Sequence, residues 1–124
     1  MYAKMKHNRV TDPKVIKEQL HRILSSPEFD ATDRQKKFLR FVTQMFLEGR
    51  AGEIKGYTVA TEVFKRNTDF DPSTDPIVSV EARRLRRSLE HFYLTTGRRD
   101  RVRITIPTGG YVPSFLFQIG ADSS

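Results

Sequence analysis

The stretch DPIVSVEARRLRRSLEHFYL, residues 75–94, carries the pattern that decides the fold. Asp75 ahead of Pro76 predicts a helix start, because an aspartate accepts from the free amides of a first turn and proline suits the first helical position. Val78, Ala82, Leu85, Leu89 and Phe92 then recur at spacings of four, three, four and three residues, which aligns them on one buried stripe of a helix reaching Tyr93 or Leu94. At about 100° per residue, Val80 and Arg87 point directly away from that stripe. Arg83, Arg84, Glu90 and His91 flank them.

Downstream of Gly97 the period changes. Val102, Ile104 and Ile106 alternate with Arg101, Arg103 and Thr105, as in a half-buried strand. Pro107-Thr108-Gly109-Gly110 turns the chain, with Gly109 or Gly110 supplying a positive φ, and Tyr111-Val112 with Phe115 to Phe117 return as the partner strand. Pro113 has no ladder donor, so the returning strand is expected at an edge or out of the ladder early. Upstream, Thr58 to Phe64 reads as a short helix and residues 67–76 as a loop of turn formers anchored by Phe70. Two longer helices precede these. One starts at Asp12-Pro13, carries Val15, Ile16, Leu20, Ile23 and Leu24 on one face, and ends at Ser25-Ser26-Pro27. The other starts at Thr32 or Asp33, buries Phe38, Leu39, Phe41, Val42, Met45 and Phe46, and stops at Gly49. The expected class is α+β: one domain over residues 11–118, a helical core with a C-terminal β-hairpin, a flexible arm at 1–10 and a disordered tail at 119–124.

Charge is distributed unevenly along this plan. The chain carries +7, and residues 83–103 hold eight arginines against only Glu90 and Asp100. Arginine's planar fork suits phosphate oxygens and guanine edges, and a helix anchored on one side and covered with arginine on the other fits a major groove about 12 Å wide. Other chemistries find little support. There is no cysteine, His7, His21 and His91 lie on three separate segments, and no phosphate-cradling glycine loop is present, so neither catalysis nor a cofactor is expected. Asp69, Asp71 and Asp75 lack the glycine and closing glutamate of a calcium loop, so no metal is expected. No apolar run approaches the roughly 18 residues needed to span a bilayer; a soluble, cytoplasmic protein is the expectation.

The order short helix, loop, basic helix, hairpin is that of a winged helix-turn-helix. Residues 78–89 followed by Ile104 to Tyr111 resemble the recognition helix and wing of the OmpR/PhoB-type effector domain, in the Val-x-Val start, the Leu-Arg pair and the Gly-Tyr after the turn. The chain is also similar to stand-alone or N-terminal bacterial winged-helix modules with Ser-Ser-Pro-x-Phe, Phe-Leu-Arg-Phe, Phe-Asp-Pro-x-x-Asp-Pro and Gly-Gly-Tyr-Val-Pro, found here at 25–29, 38–41, 70–76 and 109–113. The resemblance implies that Ser79, Val80, Arg83 and Arg84 face base edges, with Arg84 at the base-reading position, and that Arg86 and Arg87 lie along the phosphate path. It departs from the family in three ways. No phosphoacceptor receiver domain precedes the helices, so control of that kind is not expected. The helix at 13–24 stands where the family has an N-terminal sheet. The wing tip holds Pro107 or Thr108 where response regulators often have a minor-groove arginine, which leaves Arg101, Arg103 and Thr108 as backbone contacts.

The function expected on these grounds is sequence-specific binding of double-stranded DNA by a transcriptional regulator. An architectural or recombination accessory protein would share the chemistry. A protein-interaction module whose basic face docks an acidic partner, helped by an exposed Phe115-Leu116-Phe117 edge, is the alternative from another class. A homodimer or tandem pair on DNA is a further expectation, because such modules usually cover one half-site. The apolar face of helix 13–24 is a candidate contact for it, or else closes the core against Phe41 and Met45.

Overall fold

The computed structural model describes residues 8–118, and the expected loose segment 1–7 and the tail 119–124 lie outside them. Among the described residues the chain is α+β, with four α-helices and a two-stranded antiparallel hairpin: α1 (Pro13–Ser25), α2 (Asp33–Leu47), α3 (Gly56–Glu62), α4 (Ile77–Leu94), β1 (Val102–Thr105) and β2 (Ser114–Phe117).

Local chemistry sets most of the boundaries. Asp12 accepts from the Lys14 amide at 3.0 Å with Pro13 in the first turn, which starts α1. A reciprocal capping box starts α2: Thr32 Oγ1 accepts from the Gln35 amide at 3.3 Å, and Gln35 Oε1 accepts from the Thr32 amide at 3.1 Å. Gly49, at φ +75°, ends α2, with the Arg50 amide donating back to Met45 O at 2.9 Å. The short helix begins at Gly56, two residues before the position expected from sequence, after a 3₁₀ turn at Ala51–Glu53. Regular α4 begins at Ile77, one residue late; Asp75 still tethers its start by accepting from the Ile77 amide at 3.2 Å.

The stripe on α4 is buried throughout, with Val78, Ala82, Leu85, Leu89 and Phe92 between 0% and 3% exposed. It meets Phe38, Leu39 and Val42 of α2, Val59 and Ala60 of α3, and Val102, Ile104 and Ile106 of the hairpin in one core. Edge-to-face aromatic pairs stitch distant segments together: Phe29 with Phe92 at 6.1 Å and Phe38 with Phe64 at 5.8 Å between ring centroids. Ile16 and Ile23 of α1 are fully buried in this core, and α1 packs on α2 and β1. Its apolar face therefore helps to close the core, the second of the two roles considered from sequence, with Val15, Leu20 and Leu24 only partly buried at its margin.

Three hairpin expectations are corrected. The β1–β2 ladder runs only from Val102 opposite Phe117 to Thr105 opposite Ser114, so Tyr111 and Val112 belong to the connecting loop; Pro113 sits just outside the ladder, where its missing donor costs nothing. β2 is not an open edge, because residues 8–10, expected within the loose arm, pair with its far side. The Val10 amide donates to Phe115 O at 2.9 Å, and the Phe117 amide to Asn8 O at 2.7 Å. Finally, Phe115 is buried, leaving Leu116 and Phe117 as the partly exposed residues of that strand.

Candidate nucleic-acid interface

Anchoring the apolar stripe of α4 leaves its other side to solvent. Ser79, Arg83 and Arg87 are exposed there, and Val80 is half-buried at the margin of the face, less outward than ideal rotation predicts. Arg83 and Arg87 form no ion pair among the described residues. The Arg84 side chain is 63% exposed and leans toward Glu81, with Nη1 3.6 Å from Oε1. Over 18 residues the helix is about 27 Å long at 1.5 Å per residue, and its outward side is cationic across the middle, from Arg83 to Arg87.

The structure gives Arg86 an occupation different from the phosphate contact expected from sequence. Its Nε donates to Ile106 O at 2.6 Å, and Nη2 donates to Gly110 O at 2.7 Å and Pro107 O at 3.4 Å. The guanidinium also lies 5.9 Å from the Tyr111 ring centroid. Arg86 is thus a clamp that fastens the hairpin turn to α4. Gly109 takes the positive φ of this turn, +96°, and exposed Thr108 stands at its tip. Gly56 packs against Tyr111 as well, which brings exposed Lys55 and Tyr57 beside the same turn. Neither residue is marked in the sequence, because nothing local ties that segment to a turn some fifty residues later.

Arg101 and Arg103 are not gathered at the turn. At about 3.3 Å per residue along a strand, Arg101 lies roughly 20 Å from Pro107, grouped with exposed Arg98 and Arg99 after α4. Arg103 is half-buried, its guanidinium 5.2 Å from the Tyr93 ring centroid. The cationic surface consequently has two parts, the outward face of α4 and the turn that follows it.

Buried polar networks hold these parts in place. Tyr93 Oη donates to Val102 O and accepts from the Ile104 amide, both at 2.9 Å, which satisfies the edge of β1 that β2 does not cover. Gln19 Nε2 donates to the same oxygen at 3.1 Å. Burial pushes the Tyr93 hydroxyl well above the usual tyrosine range despite these bonds. Asp100, counted from sequence only as one of two acids amid the arginines, is buried and accepts from Gln19 Nε2 at 2.9 Å and Arg22 Nε at 2.8 Å. That bond and the carboxylate's charge raise the Arg22 pKa above its ordinary value.

In the loop before α4, Asp75 Oδ2 accepts from Arg66 Nε at 2.7 Å, and Asp71 Oδ1 from the Ser73 amide and hydroxyl at 3.0 and 2.7 Å. These carboxylates brace the loop. No helix among the described residues is long and apolar enough to cross a membrane. Comparisons with protein-family models, curated proteins and solved structures return no match.

Proposed function

We propose that this chain is a winged helix-turn-helix module that binds double-stranded DNA sequence-specifically as a transcriptional regulator, with α4 in the major groove and the hairpin as its wing. The observation that carries the reading is the division of α4: one face sealed into the core, the other presenting Arg83, Arg84 and Arg87 to solvent. Such a helix can enter the groove without uncovering the core. Arg83 and Arg84, with Ser79 and Val80, are assigned to base edges, where arginine pairs with guanine O6 and N7 and valine packs on a thymine methyl. Arg87, Arg101 and Thr108 are assigned to the phosphates, and Arg103 to a lesser share of them. Arg86 leaves that set. An acidic protein docked on the same arginine face is the alternative; the pairing of residues 8–10 along β2 takes away the open edge that would assist it, while Leu116 and Phe117 stay exposed.

Binding-site selection from a random duplex library, followed by titration at several salt concentrations, tests the reading. Arg83→Ala and Arg84→Ala are expected to relax base preference at particular positions, each by about 1–3 kcal/mol. Arg87→Ala and Arg101→Ala are expected to weaken binding to all sequences alike and to lower the salt slope by about one each. If no sequence is enriched over competitor DNA, the proposal fails.

A further inference from the structure

We infer that Glu81 is a positioning residue that sets the orientation of Arg84 toward the bases, an inference that rests on the DNA-binding reading above. Glu81 stands on the recognition helix itself, with its side chain only 6% exposed. A carboxylate so placed in a cationic region opposes phosphate attraction, and its burial has to be offset by donors. Two come from the first turn of α2: Gln35 Nε2 donates to Oε1 at 3.0 Å, and Arg34 Nη1 to Oε2 at 3.3 Å. Gln35 is itself held by the capping box with Thr32, and the Arg34 guanidinium lies 5.5 Å from the Phe64 ring centroid. The carboxylate is thereby locked against a rigid helix start, with little rotamer freedom of its own.

Arg84 borders this locked group at 3.6 Å, a distance that gives electrostatic guidance without a full hydrogen bond. A guanidinium carries five N–H donors in a fixed plane. With Nη1 turned to Glu81, the remaining donors project from the helix surface, and the pair required for guanine O6 and N7 is drawn from them. An unrestrained arginine would have to lose more rotamer freedom on reaching a base. The α2 capping box, through Glu81, therefore limits the directions that Arg84 samples.

Glu81→Gln supplies a test whose signature differs from that of a structural defect. The variant removes one negative charge, so its binding to unselected duplex DNA is expected to hold or strengthen. Discrimination at the one base position read by Arg84, identified with Arg84→Ala, is expected to fall by roughly tenfold, within the span of a bidentate arginine–base contact. In the Arg84→Ala background, Glu81→Gln is expected to change discrimination no further. An equal loss on all sequences, an unchanged preference at that position, or an added loss in the Arg84→Ala background would overturn the inference and leave the DNA-binding reading intact. A wild-type chain with no base preference overturns both. If Glu81→Gln does not fold, Arg34→Met removes one clamp without altering α4; it must weaken preference at the same base position, and an unchanged profile refutes the inference.

Discussion

Arg86→Met removes three donors from the hairpin turn while keeping most of the aliphatic stem. The bonds to Ile106 O and Gly110 O, at 2.6 and 2.7 Å, are charge-assisted, a class that contributes about 1.5–3 kcal/mol each. The bond to Pro107 O at 3.4 Å adds little. Pro107 and Gly110 are exposed, so water recovers part of the loss at those carbonyls. Ile106 is buried, and its carbonyl has no such recourse. A net destabilisation of about 2–3 kcal/mol follows, equivalent to a fall of roughly 10 °C in Tm for a domain of this size. Urea unfolding with an unchanged m-value measures it, and faster amide exchange across 106–111 locates it. Arg86→Lys should fall between wild type and Arg86→Met, because one ammonium group cannot span carbonyls on both sides of the turn. The competing role as a phosphate contact predicts the opposite pattern, with stability retained and the DNA salt slope lowered by about one. Stability of Arg86→Met within about 0.5 kcal/mol of wild type, the range of ordinary surface substitutions, would refute the clamp.

Tyr93→Phe leaves Val102 O, the Ile104 amide and Gln19 Nε2 short of one partner each and is expected to cost about 2–4 kcal/mol. It should also change the alkaline limb of stability. Native Tyr93 keeps its proton above about pH 10, where an unfolded tyrosine loses it. The native state then binds more protons, so wild-type stability declines above that pH by up to about 1.4 kcal/mol per unit from this group; denaturant titrations from pH 9 upward should show a shallower decline in the variant. At the end of α4, a methyl group on Gly97 would overlap the fully buried Phe92 ring. Gly97→Ala is expected to lose about 1–3 kcal/mol, and thermal unfolding equal to wild type would show that the turn yields without strain.

Much of the architecture could be read from sequence, because helix stripes, proline starts and glycine stops act over a few residues. Val78, Ala82, Leu85, Leu89 and Phe92 are buried as their spacing predicts, and Gly109 holds the positive φ assigned to Gly109 or Gly110. The outward placement of Arg83, Arg84 and Arg87 follows from the same period. Glu81 left a partial signal, being four residues before Leu85 and three after Val78, but its donors lie on α2. Arg86 left none: its partners are main-chain carbonyls 20 to 24 residues later, and every residue type carries a carbonyl. Residues 8–10 reach β2 by a pairing more than a hundred residues apart in the chain. The sequence by itself therefore determined which side of α4 enters the core and which carries charge. Only the tertiary structure decided that Arg86 is committed while Arg83 and Arg87 form no ion pair among the described residues, because the carbonyls that folding brings to Arg86 lie 20 to 24 residues away in the chain.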